Sequence, residues 1–290
     1  MCLEQLSKLL PTSFHRVERH SSYHPGIQSF AAIVSNVRHD TLYRNPPSRF
    51  SRNLRNLVGP LALILFDNVH YCYPQTAGEV VSRVVVRRWS IAAGECVALI
   101  GASGSGKTTL LQLAGGILGV AGGSIQVAQQ SLGTMPEARR RKFRLANIGF
   151  VFQSFELLPH LTVEENLLLP IHLLKPKRLS TQVQSRVDEL CENLSLSRSI
   201  RKRRPDRLSQ GERQRVAIGR ALVTQPSVVL ADEPTGNLDP ALKRSVVELL
   251  LNQCRENNAT LVMATHDLSG IDRFDSSHET STVLQWEGQH

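Results

Sequence analysis

The sequence predicts an α/β fold: a mostly parallel sheet covered by helices on both faces, with a helical insertion. Three observations predict it. Short, wholly apolar runs at Cys96–Ile100, Val228–Ala231 and Leu261–Ala264 have the composition of strands buried on both faces. Helical stretches at 107–118 and 241–256, and a short one after Asp267, follow these runs in βαβ order. Between Leu161 and Arg204 strand-like runs disappear and helical composition takes over.

Residues 1–60 are expected to be a flexible extension, with the remaining domain at 61–290. Ser, Arg, His and Asn dominate the extension, Pro46-Pro47 interrupts it, and no apolar periodicity persists. Composition changes at Leu61-Ala62-Leu63-Ile64-Leu65-Phe66, a predicted first strand. Eight cations and three acids give residues 1–60 five of the chain's nine net positive charges. The 290 residues suffice for a large core. Five widely spaced cysteines without a C-x-x-C pair argue against a disulfide framework or zinc site and for a reducing compartment. The strongest apolar run, Leu57–Phe66, is interrupted by Gly59 and Pro60 and falls short of the ~20 residues that span a bilayer.

Gly101-Ala102-Ser103-Gly104-Ser105-Gly106-Lys107-Thr108 matches G-x-x-x-x-G-K-[ST] between a predicted strand and helix. Average residue frequencies put a chance match at roughly one in a hundred. Glycine lets successive backbone N–H groups converge on a phosphate, and the helix N-terminus adds partial positive charge. Lys107 is then expected to bridge the β- and γ-phosphates of a bound nucleotide, and the Thr108 hydroxyl to ligate Mg²⁺. Ser103, Ser105 and Thr109 complete the predicted nucleotide-binding set.

Asp232 and Glu233 follow the apolar run at 228–231. An acid at the end of a buried strand beside a phosphate loop suits Mg²⁺, which points to Asp232. Its neighbour Glu233 is the candidate general base for the attacking water. His266 ends another apolar strand and is a candidate contact for the γ-phosphate.

Leu208-Ser209-Gln210-Gly211-Glu212-Arg213-Gln214-Arg215-Val216-Ala217-Ile218-Gly219-Arg220-Ala221-Leu222 resembles the signature of ABC ATPases. The resemblance extends over about residues 61–290. It implies a P-loop NTPase core of the ABC ATPase type, with an antiparallel β part and a helical subdomain at about 155–210. It implies that Ser209, Gln210, Gly211 and Glu212 act in trans, facing ATP held by a second subunit. It also implies a Q-loop glutamine at Gln153 that contacts Mg²⁺, a D-loop at Asp239, a switch histidine at His266, and an adenine-stacking aromatic at Tyr73, with Tyr71 a rival. Gln210 replaces the usual second glycine of the signature and Glu212 the usual glutamine.

Gly149–Asn166 and Ala231–Asp239 resemble the lipoprotein-release and macrolide-export group, and cell-division ATPases share the second stretch. The implied activity is ATP hydrolysis by a homodimer, whose ATP-driven closure powers export through a separate membrane permease at the inner face of the cell membrane. An ATPase driving a partner that moves no cargo is the alternative. ABC ATPases acting on DNA or ribosomes carry long coiled coils or paired cores, and this chain has one phosphate loop and no sustained heptads. The basic runs Arg139–Arg144 and Arg201–Arg204 lack aromatic interleaving, so nucleic acid is not an expected partner. The first run is expected to be a solvated helix face or to meet an anionic membrane.

Overall fold

The computed structural model describes residues 62–73, 83–174, 180–236 and 238–287; the extension expected at 1–60 lies outside them. β3 (Cys96–Ile100), β6 (Ile148–Val151), β7 (Val228–Asp232), β8 (Thr260–Thr265) and β9 (Ser276–Glu279) form a parallel sheet in the order β6-β7-β8-β3-β9. β1 (Ala62–Cys72), β2 (Arg83–Ala92), β4 (Gly122–Val127), β5 (Gln130–Ser131) and β10 (Gln285–Glu287) form an antiparallel sheet, β10-β2-β1-β4-β5. β1 pairs with β2 from Ala62↔Ala92 to Cys72↔Arg83, so the strand runs well past the expected end at Phe66.

Alternation within the apolar runs divides the core. Val97 and Leu99 of β3, with Val228, Leu230, Val262 and Ala264, face α1 (Lys107–Ala114) and the antiparallel sheet. Cys96, Ala98, Val229, Ala231, Leu261 and Met263 point the other way, into helices of the opposite layer. Successive side chains of a strand leave opposite faces, so a strand covered on both sides must be apolar throughout. Each fully buried Val or Leu contributes about 1.5–3 kcal/mol relative to exposure.

The opposite layer comprises α3 (Val163–Leu174), α4 (Thr181–Asn193), the short α5 (Arg198–Arg201), α6 (Gln210–Leu222) and α7 (Pro240–Glu256). α8 (Thr280–Val283) follows β9. Two expected helices are shorter than the sequence suggests. α1 stops at Ala114 because Gly116, just past the Gly115 C-cap, is left-handed at φ 61°; Gly115 itself packs so closely on Phe150 that a Cβ would lie 2.3 Å from the ring. The short helix expected after Asp267 is a single 3₁₀ turn, Ile271–Arg273.

The basic run at 139–144 requires a correction. It lies on α2 (Glu137–Asn147), but Arg141 and Arg144 are buried instead of solvated. Arg144 donates to the Gly116 carbonyl at 2.5 Å and pairs with Glu137 at 3.4 Å. Glu137 also pairs with Arg140, and desolvation opposed by these two guanidiniums leaves its carboxyl below the ordinary range. Part of this run therefore closes the end of α1 within the fold.

Candidate active site

The phosphate loop, Gln153, Asp232, Glu233 and His266 gather at one edge because the parallel strands end there. β3 leads into Gly101, β6 into Gln153, β7 ends at Asp232 and leads into Glu233, and β8 leads into His266. The carboxyl ends of parallel strands are where open α/β sheets bind ligands.

Gly104 and Gly106 have φ 78° and 98°, left-handed values that glycine adopts without a Cβ penalty. Gly106 is the N-cap of α1, and no side chain caps the helix. The first N–H groups of α1 are thus not consumed by a side-chain acceptor, as an anion site requires. Gly101 allows close approach of the loop: a Cβ there would lie 2.5 Å from Ser105 Oγ and 2.7 Å from Thr280 Oγ1.

Lys107 is buried, and its ammonium is satisfied from three sides. Nζ donates to the carbonyls of Gly101 at 2.7 Å and Ala102 at 2.8 Å, and lies 3.2 Å from Glu233 Oε1. The other carboxylate oxygen of Glu233 meets His266 Nδ1 at 3.1 Å. Glu233 itself is left-handed, φ 43°, and its N–H donates to the Ala264 carbonyl at 3.0 Å. A left-handed non-glycine residue is uncommon and collects at functional turns. Here it turns the carboxylate from the line of β7 toward Lys107.

Asp232 has one partner and one orphan oxygen. Burial raises its carboxyl above the ordinary range, and Glu233 adds to the rise; the Thr108 hydroxyl bond and Lys107 oppose it. Oδ1 is buried without a hydrogen-bond partner, as is Ser105 Oγ in the neighbouring loop. Buried oxygens without partners are costly. A carboxylate and a hydroxyl side by side are hard ligands of the type Mg²⁺ prefers, so Asp232 and Thr108 fit a divalent cation. Ser105 Oγ and the uncapped helix fit a phosphate.

The remaining predicted residues occupy distinct positions. Gln153 is exposed at the end of β6, and a Cβ on Gly236 would lie 3.1 Å from its Nε2, placing its amide beside the turn that leaves Glu233. Ser103 is exposed in the loop. Tyr71 and Tyr73, rivals in the sequence, are separated by burial: Tyr71 is 9% exposed in the core, whereas Tyr73 reaches α1. The Tyr73 hydroxyl bonds the Thr109 hydroxyl, and its ring lies parallel to Trp286 with centroids 5.9 Å apart. Thr109 is buried and serves this link.

Ser209, Gln210, Gly211 and Glu212 form a second patch. Ser209 caps α6: its Oγ accepts from the Glu212 N–H at 3.2 Å, and Glu212 Oε2 accepts from the Ser209 N–H at 2.7 Å. This reciprocal capping box explains Glu212 locally, and these bonds draw its carboxyl below the ordinary range. Gln210 is exposed, while Gly211 is buried. A Cβ on Gly211 would lie 2.9 Å from Leu242 Cδ2 of α7, so a larger residue there would displace the end of that side chain. Asp239 caps α7 by accepting from the Leu242 N–H at 3.0 Å.

Sequence reasoning missed Trp286, Arg220 and Asn166. Trp286 sits on a three-residue strand that gives no periodic signal. Arg220 and Asn166 are buried polar residues whose partners are backbone carbonyl or amide groups of a loop, which a linear pattern does not reveal.

A family model described as "ABC transporter" matches residues 87–236, which contain the phosphate loop, Asp232, Glu233 and the Ser209 patch. The chain is 43% identical over 217 residues to "Lipoprotein-releasing system ATP-binding protein LolD 1" of Rhodopirellula baltica, covering 75% of this chain and 93% of that protein. It is 42% identical over 186 residues to a protein of Xanthomonas oryzae pv. oryzae named "Lipoprotein-releasing system ATP-binding protein LolD", covering 64% of this chain and 75% of that one. Among solved structures, it resembles the dimeric post-hydrolysis state of the ATP-binding cassette MJ0796 bound to ADP and Pi, with TM-score 0.66 and 30% identity. That likeness covers 74% of this chain and 93% of the other. Among the described residues, no helix is long and apolar enough to cross a membrane.

Proposed function

The chain belongs to the ABC transporter family as an ATP-binding, ATP-hydrolysing subunit, and from this premise we propose how its residues divide the work and what it drives. The observation that carries the proposal is the continuous contact path Lys107–Glu233–His266 beside the partly unsatisfied Asp232.

Lys107 exchanges its loop carbonyls for the β- and γ-phosphates of ATP, which the uncapped start of α1 and Ser105 also receive. Thr108 and Asp232 would hold Mg²⁺, with Gln153 contributing from the loop that follows β6. Bound there, the cation would neutralise charge that develops on the transferred phosphoryl group. Glu233, released from Lys107, accepts a proton from the attacking water, and His266 orients the Glu233 carboxylate and contacts the γ-phosphate. Tyr73 flanks the base of the nucleotide.

The subunit works as a homodimer in which Ser209 and the start of α6 meet ATP held by the partner, and Asp239 lies across the same interface. The dimeric cassette to which the chain is similar supports this arrangement. ATP-driven closure then powers a separate membrane permease at the inner face of the cell membrane, moving cargo out. Relatives named for lipoprotein release favour a transported cargo over a partner that moves none. The test is purification of the tagged chain from native membranes, followed by ATPase assay with Mg²⁺ or a chelator. An integral membrane protein should co-purify and change the Mg²⁺-dependent rate. Recovery with ribosomes or DNA alone would overturn the proposal.

A further inference from the structure

Arg220, in the last turn of α6, is 3% exposed and has no part in the phosphate chemistry proposed above. Burying a guanidinium is costly unless its donors are met, and burial holds its pKa down to about 10. Nη2 donates to the Phe155 carbonyl at 2.7 Å and Nη1 donates to the Glu156 carbonyl. Those carbonyls lie two and three residues beyond Gln153. Both residues are left-handed, with φ 63° and 50°, a conformation that non-glycine side chains resist and that surrounding contacts must hold.

A second buried side chain fastens the far end of the same loop. Asn166 of α3 accepts from the Leu158 N–H at 2.8 Å and donates to the carbonyls of Leu158, Leu161 and Thr162 at 3.0–3.2 Å. The segment after Gln153 is therefore tied to α6 near its start and to α3 further on. Meanwhile α6 carries Ser209 at one end and Arg220 near the other, about 16 Å away at helical rise.

We infer that Arg220 is a positioning residue: its two bonds hold the Phe155–Glu156 backbone to α6, so that Gln153 and Ser209 shift together as one body. This rests on the roles proposed for Gln153 and Ser209, and it explains why a rigid helix should join them. One side chain bonding two successive carbonyls prevents the loop from relaxing independently of the helix. A change at Gln153 therefore reaches the face that meets the second subunit.

The test compares Arg220→Met and Arg220→Lys with the wild type as nucleotide-free full-length chains. Hydrogen exchange of the Phe155 and Glu156 amides, which now donate to the Phe152 and Ser154 carbonyls at 3.1 and 2.7 Å, should accelerate at least about tenfold in Arg220→Met. Exchange in α1 and β3 should stay within about twofold. Turnover should drop about ten- to hundredfold, while binding of a non-hydrolysable ATP analogue to the monomer holds within about twofold. Arg220→Lys keeps the charge on a single donor nitrogen and should restore part of both effects. Unchanged exchange at 155–156 would overturn the inference. So would a global rise in exchange with lost analogue binding and no rescue by lysine. If Arg220→Met does not fold, Arg220→Gln and Arg220→Lys carry the same comparison. A normal rate in Gln153→Ala would sink the role of Gln153 alone, and the exchange pattern would still decide whether Arg220 holds the loop.

Discussion

Lys107 and Glu233 form an ion pair of 3.2 Å that links the phosphate loop to the end of β7, with Lys107 4% and Glu233 17% exposed. The amine proposed to bind phosphate and the carboxylate proposed to activate water neutralise each other before nucleotide arrives. Binding of ATP must compete with this pair, and the competition frees the carboxylate. Loading and activation thus share one contact.

Glu233→Gln keeps the size of the side chain and removes both the base and the charge that holds Lys107. ATP hydrolysis should fall at least about a hundredfold, while ATP binding is retained or strengthened. Light scattering should show an ATP-dependent dimer that persists. A rate close to wild type would place the base on another residue.

Lys107 and Ser209 should separate cleanly by assay. Lys107→Ala removes a charge-assisted phosphate contact and should weaken nucleotide binding by the monomer. Ser209→Arg loses a helix cap worth about 0.5–2 kcal/mol and lowers stability accordingly, but it should leave monomer binding nearly intact while abolishing turnover. A heterodimer of the two variants places both lesions in one composite site and should regain activity through the other. Loss of monomer ATP binding in Ser209→Arg would refute the cross-subunit assignment.

Asp232 predicts a trade between stability and activity. Its folded carboxyl titrates above the unfolded value, so the folded state binds more protons, and stability falls as pH rises through that interval. The full cost is present above the folded pKa and vanishes below the ordinary value of 3.8. Asp232→Asn should therefore melt higher than the wild type at neutral pH, by about 2–4 °C per kcal/mol released. The gain should shrink on acidification. The variant should also lose hydrolysis and most of the extra stabilisation that Mg²⁺ gives to the ATP complex. A lower melting temperature at pH 7 would show that the burial cost is already compensated.

Gly115→Ala tests the packing at the C-cap of α1. The added methyl would meet the Phe150 ring at 2.3 Å, so one of the two must move. Overpacking of this kind costs about 1–3 kcal/mol, and denaturant unfolding should show a lower midpoint with an unchanged slope. An unaltered midpoint would mean that Phe150 moves without cost.

The sequence by itself determined the central strands, the phosphate loop, the acidic pair and the signature helix. Each is local: a run apolar on both faces needs no partner to be recognised, and the glycine spacing at 101–106 is dictated by backbone geometry within the loop. Tertiary structure decided the rest. β2, β4 and β10 exist because β1 and one another complete their hydrogen bonds, and their residues alone show no decisive period. Burial separated Tyr73 from Tyr71 and turned Arg141 and Arg144 from an apparent surface charge run into interior anchors. Arg220 became legible only once the fold brought it to the carbonyls of residues 155 and 156, which are 65 and 64 positions away along the chain. A buried cation is explained by the partners that satisfy it, and those partners are neighbours in space.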